Sequence, residues 1–199
     1  MSIKLPVRTA LAAALAAGAV WGVAASNGAP HHHNAGKHSA KLARQLATMR
    51  VATAPLVADL DAAKKAGYRQ ITPMIEDMGF HYLNPDITTF DPAKPPILVY
   101  TRRDGKYQLG ALEWVFPKKP KTAPLKGAKY GSFPAACHYD DGTFVTASSE
   151  ADCAPKSDSG APFFFWHPKL VTLHVWLWYA NPDGLYASMN PFVRPFNKG

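Results

Sequence analysis

Leu170-Val-Thr-Leu-His-Val-Trp-Leu-Trp178 is the stretch on which the fold of this chain turns. β-Branched and aromatic residues dominate it and it is short for a helix, so it reads as a strand. Alternation puts Val171, Leu173, Val175 and Leu177 on one face, and Leu170, Thr172, His174, Trp176 and Trp178 on the other. A strand apolar on both faces belongs inside a sheet that is covered on both sides. His174 is then an interior histidine flanked by tryptophans, and an interior imidazole needs a partner.

Working outward, two other extended segments carry the same kind of anomaly. Arg103-Asp-Gly-Lys106 is a hairpin turn between strands expected over 97–101 and 107–116. In the second of these, Leu109, Ala111, Glu113 and Val115 should share a face. Glu113 is the single charge between Lys106 and Lys118. A covered Glu113 has to be paired, protonated or bound to a metal. Its other readings are an open face or an answering arginine such as Arg102. Further upstream, Phe80-His-Tyr-Leu83 is a short extended run ending at Asn84-Pro85, and His81 stands in it between aromatic residues. Taken singly, each histidine also fits a hydrogen-bonded core residue.

Helical spacing appears near the start of the chain. Leu42, Leu46 and Met49 recur at helical intervals until Pro55 interrupts, and a second helix is expected over 56–66 with Gly67 as its stop. The expected fold is α+β, with N-terminal helices packed on a mainly antiparallel sheet of 97–101, 107–116 and 170–178. Residues 40–199 are expected to form a single globular domain.

The ends and the cysteines bear on compartment. Residues 1–25 have the layout of a secretory signal: Lys4 and Arg8, an Ala/Leu/Val run, and Val23-Ala-Ala25 as a small-residue cleavage site. The run is Ala-rich and short for a membrane anchor, and no other stretch has the length and apolarity to span a bilayer. The formal charge of +8 includes two charges from this segment. Residues 26–39, with His31, His32, His33 and His38, are expected to be a disordered tail that could hold a transition metal loosely. In an exported chain, Cys137 and Cys153 are expected to form a disulfide, contributing about 3 kcal/mol in the chain-entropy account. The alternative is a thiolate metal pair with His138. The intervening Asp140-Asp-Gly-Thr143 reads as the turn of a stapled surface hairpin.

Met78-Gly-Phe-His-Tyr-Leu-Asn-Pro85, Leu109-Gly-Ala-Leu-Glu-Trp-Val-Phe-Pro117 and Leu173-His-Val-Trp-Leu-Trp-Tyr-Ala-Asn-Pro-Asp-Gly184 resemble segments of a group of exported bacterial proteins without an assigned activity. Met189-Asn-Pro191 and Ala62-Ala-Lys-Lys-Ala-Gly-Tyr68 are similar as well. The resemblance runs over about 56–193, weakest in the Lys-rich loop and the cysteine hairpin. It implies a natural exported domain, and it implies no activity, cofactor or catalytic residue.

Function is therefore read from the three anomalies together. His81, Glu113 and His174, brought inward from separate strands, would suit a divalent transition metal with open positions. Trp114, Trp176 and Trp178 are expected to wall the site, and His167 is a reserve ligand. A second reading is a non-enzymatic module that binds a small molecule or carbohydrate among the tryptophans. A third is a structural envelope protein in which His and Glu simply pair. The basic run Lys118, Lys119, Lys121, Lys126 and Lys129 lacks the aromatic interleaving and motifs of sequence-specific nucleic-acid binding. Nucleophile-elbow, phosphate-loop, zincin and haem-attachment motifs are absent from the sequence. Exported material should have an intact mass that begins near Ser26; Met1 retained in a membrane fraction would reverse the export reading.

Overall fold

The computed structural model describes residues 32–197, with side chains from Ser39 onward. The expected signal segment, and residues 26–31 of the His-rich stretch, lie outside the described residues.

Helix α1 spans His32–Thr53. It begins inside the stretch expected to be disordered, so the described part of that stretch has helical backbone. After a single 3-10 turn over Ala54–Leu56, helix α2 spans Leu60–Lys65, shorter than the expected 56–66. Pro55 lies in that turn, and Asp59 caps α2 by accepting from the Ala62 N–H at 2.8 Å.

Nine strands follow among the described residues: β1 (Arg69–Gln70), β2 (Phe80–Leu83), β3 (Ile97–Arg103), β4 (Lys106–Phe116), β5 (Gly131–Phe133), β6 (Ala136–Tyr139), β7 (Phe144–Thr146), β8 (Phe163–His167) and β9 (Leu170–Val175). Every named pairing is antiparallel. One sheet has six strands in the order β1-β2-β3-β4-β9-β5, and the other three in the order β7-β6-β8. The β3–β4 hairpin turns at Asp104 and Gly105, with φ of 50° and 75°, the paired left-handed residues that match strand twist.

The six-stranded sheet is covered on both faces, as its central strands require. Leu98, Leu112, Trp114, Leu173 and Val175 pack with Met49 of α1 and Ala63 of α2. Their strand neighbours point the other way: Ile97, Val99 and Ala111 pack with Ile71 and with Phe164 and Phe165 of the three-stranded sheet. Among the described residues, no helix is long and apolar enough to cross a membrane.

Two departures from strict alternation have one cause. Val99 pairs with Ala111 but Tyr100 pairs with Leu109, so Gly110 is an extra residue bulged out of β4. Leu109, expected on the Glu113 face, is thereby switched to the helix side. The freed Gly110 carbonyl accepts from the N–H groups of Trp178 and Tyr179 at 3.0 and 3.3 Å. The chain leaves the β9 ladder after Val175 and is caught by that carbonyl, so the strand stops short of the expected Trp178.

Cys137 and Cys153 form the expected disulfide, with Cα atoms 5.7 Å apart, which rules out the thiolate pair. The segment is not simply a surface hairpin, because all four residues of β6 are buried.

Gly79 (φ 118°) supports β2 at very close range: a Cβ there would stand 2.1 Å from the Tyr100 carbonyl oxygen. Gly79→Ala should lower stability by about 3 kcal/mol or more in urea unfolding. Gly160→Ala, also at positive φ but with nothing within 4 Å, should cost only about 1–2 kcal/mol.

Candidate metal centre

The register of the six-stranded sheet brings the three anomalous residues together. Glu113 on β4 is directly opposite His174 on β9. On the other side Glu113 pairs with Ile97 of β3, whose neighbour-but-one Val99 pairs with His81 of β2. His81 thus lies two strands from Glu113 on the same face, and its ring leans across aliphatic β3 to reach the carboxylate. His81 Nε2 is 3.5 Å from Glu113 Oε2, and His174 Nε2 is 3.5 Å from Glu113 Oε1. One ligand atom from each residue falls within 4.8 Å of the other two, and all three residues are buried.

His81 is held from behind. Its Nδ1 is 3.0 Å from the Thr72 hydroxyl, which also accepts the His81 backbone N–H at 3.1 Å. The Ile71 N–H donates to the His81 carbonyl at 2.8 Å, so the Ile71-Thr72 dipeptide clamps this histidine by backbone and side chain. His174 is the opposite case. It is 3% exposed, and neither ring nitrogen has a hydrogen-bond partner among the described residues. Each buried polar atom left in that state costs about 1–3 kcal/mol.

The electrostatics are those of a dry cavity. Burial pushes the Glu113 carboxyl up to about 8 and holds the imidazoles down, His81 to about 3 and His174 to about 4. The neighbouring His174 and His138 add to the depression at His81. Without a cation, burial favours the uncharged form of all three groups over an ion pair. The 3.5 Å separations are also long for charge-assisted hydrogen bonds, which lie near 2.7–2.9 Å.

The three side chains open into a cavity of about 310 Å³ between the two sheets. Its walls include Ile75, Met78, Phe133, Phe165 and Met189. The expected tryptophan walls are absent from its lining. Trp114 follows Glu113 in the strand, so it points to the helix side and packs on Phe90 at 5.1 Å. Trp178 has left the ladder and donates from Nε1 to the Thr53 hydroxyl at 3.0 Å. Trp176 does lie on the Glu113 side, but its ring covers Gly110, 3.4 Å from where a Cβ would stand, and its Nε1 donates to the Ala187 carbonyl at 2.7 Å.

His138 and His167 face the same cavity. In the sequence, His138 stands out only beside the cysteines and His167 only as a reserve ligand. Alternation within Ala136–Tyr139 places His138 opposite in face to Cys137, but its partner strand Phe163–His167 is an aromatic run with no polar alternation to mark it. No protein-family model, curated protein or solved structure matches the chain.

The chelator-treated protein has a stability profile set by this burial. Glu113 faces His81 and His174, with His138 and His167 across the cavity. Its folded pKa lies above the usual carboxylate value, so its contribution is complete at acid pH and is lost as pH rises toward about 8. The histidines are depressed and act in the other direction, below their ordinary value near 6.5. Between pH 6.5 and 8, stability should fall in urea unfolding of the metal-free protein, and Glu113→Gln should flatten that limb. An equal slope in the variant would remove Glu113 as the cause.

Proposed function

We propose that this is an exported metal-binding protein that holds a divalent transition ion on His81, Glu113 and His174. The observation that carries the reading is the orphaned imidazole of His174, buried beside a carboxylate that it does not hydrogen-bond. An ion supplies a partner for His174 Nε2 and, at the same time, the positive charge that a buried Glu113 carboxylate needs.

The spacing supports this. Nitrogen and oxygen ligands about 2.0–2.1 Å from a tetrahedral ion are about 3.4 Å apart along the edge of the tetrahedron. His81 Nε2 and His174 Nε2 each stand 3.5 Å from a different Glu113 oxygen, and the three ligand atoms fall within 4.8 Å of one another, so a small side-chain adjustment gathers them to such edges. Two imidazoles and one carboxylate leave at least one position free, and this donor set suits zinc, copper, iron or nickel better than magnesium or calcium. The Thr72 hydroxyl behind His81 Nδ1 is the outer-shell support expected of a ligating histidine. The apolar walls favour a small, largely apolar ligand beside the ion.

The tail histidines must be silenced before metal is counted. In full-length protein carrying alanine at His31, His32, His33 and His38, zinc should be retained through gel filtration. His174→Ala should release the ion bound by the three-residue set. Thr72→Val should weaken binding by about 10- to 100-fold while leaving unfolding by urea cooperative. Unchanged zinc retention and affinity in His174→Ala would overturn the reading.

A further inference from the structure

The second pair of imidazoles in the cavity has a geometry that two neutral rings do not explain. His138 on β6 faces Phe165 on β8, and His167 is two residues further along, which makes the two histidines diagonal neighbours on one face. Each ring is fixed from behind. His138 Nδ1 lies 2.7 Å from the Ile71 carbonyl oxygen, and His167 Nδ1 lies 2.7 Å from the Pro168 carbonyl oxygen. A carbonyl oxygen accepts only, so both Nδ1 atoms carry the proton. In a neutral imidazole this leaves Nε2 as a bare lone pair. Yet the two Nε2 atoms face one another at 3.0 Å.

Two lone pairs at that distance repel unless a positive charge lies between them. The charge is either one shared proton or one metal ion. Both histidines are buried, which disfavours an imidazolium, and burial is the leading cause that lowers both pKa values. The distance equals that of an N–H···N hydrogen bond, and it also fits a metal: with bonds of about 2.05 Å, nitrogens 3.0 Å apart subtend about 94° at the ion, a cis angle of square-planar or octahedral coordination that is narrower than the tetrahedral one. Donation from Nδ1 to a backbone carbonyl is the usual orienting contact of a ligating histidine. Phe165 stacks on the His138 ring at 4.6 Å and 4°, which holds its plane.

We propose that His138 and His167 form a second metal-ligand pair, so that the cavity between the sheets takes two imidazole-preferring transition ions of the zinc or copper class. The claim of two ions rests on the reading above for the first of them; the paired Nε2 atoms argue for the second independently. Ile71-Thr72 links the two sets, since its carbonyl orients His138 while its N–H and hydroxyl hold His81.

The test counts zinc per chain, by elemental analysis after chelation, reloading with zinc chloride and gel filtration, in the full-length protein with the four tail histidines replaced. Two equivalents are expected, falling to one in His167→Ala and to one in His174→Ala. One equivalent in the parent, retained in His167→Ala and lost in His174→Ala, would overturn the second pair and leave the first reading standing. One equivalent lost in His167→Ala and kept in His174→Ala would sink the first reading and the two-ion claim, and leave the second pair alone. No retained zinc in the parent would defeat both. Should the alanine variants fail to fold, imidazole nitrogen NMR of the parent decides the matter: zinc should shift the Nε2 resonances of both His138 and His167. Unchanged Nε2 resonances, or a proton shared between them at saturating zinc, would overturn the proposal.

Discussion

The direct pairing of Glu113 with His174 across the β4–β9 ladder is the constraint on which the interior depends. Because side chains alternate, a slip of one residue in either strand would exchange an ionisable face for an apolar one along the whole ladder. Leu112 and Trp114 would then enter the cavity, and Glu113 would be driven among Met49, Leu98 and Leu173, where nothing answers a carboxylate. The cost of burying a charge in the wrong layer makes the correct register strongly preferred. The polar residues that destabilise the cavity locally thus help to specify the sheet.

The bulge at Gly110 sets how far that register extends. Below it, β4 pairs with β9 from Phe116 to Leu112; above it, the ladder with β3 continues with its faces exchanged at Leu109. The bulged carbonyl also ends β9 by binding the Trp178 and Tyr179 N–H groups. One inserted glycine therefore separates the ionisable layer from the aromatic layer. His174 falls on the cavity side of the boundary, and Trp176 and Trp178 fall beyond it.

Much of this was legible from periodicity. The 103–106 turn, the two strands flanking it, the strand through His174 and the convergence of His81, Glu113 and His174 all follow from alternation and the cost of buried polar groups. The disulfide followed from cysteine count and export signals. What escaped was set by tertiary hydrogen bonding. A single glycine in a strand does not announce which residues it will displace, so Leu109 and Trp178 depart from the expected alternation, whereas Trp114 and Trp176 keep their faces but not the expected place beside the site. Strands β5, β7 and β8 have only three to five residues and take their pairing from distant partners. His138 was overshadowed by its neighbour Cys137. The start of α1 was missed because a His-, Asn- and Gly-containing stretch lacks a regular apolar stripe.

The bond between Cys137 and Cys153 reaches further than the hairpin it closes. Cys137 immediately precedes His138, and the opposite faces of β6 carry the sulfur and the imidazole. Restricting one restricts the other, since they share a backbone within a four-residue strand. The disulfide thus restrains the backbone from which His138 projects, while the Ile71 carbonyl and the Phe165 ring hold the imidazole itself. A cross-link on one face of β6 therefore limits how far the backbone on the cavity face can move.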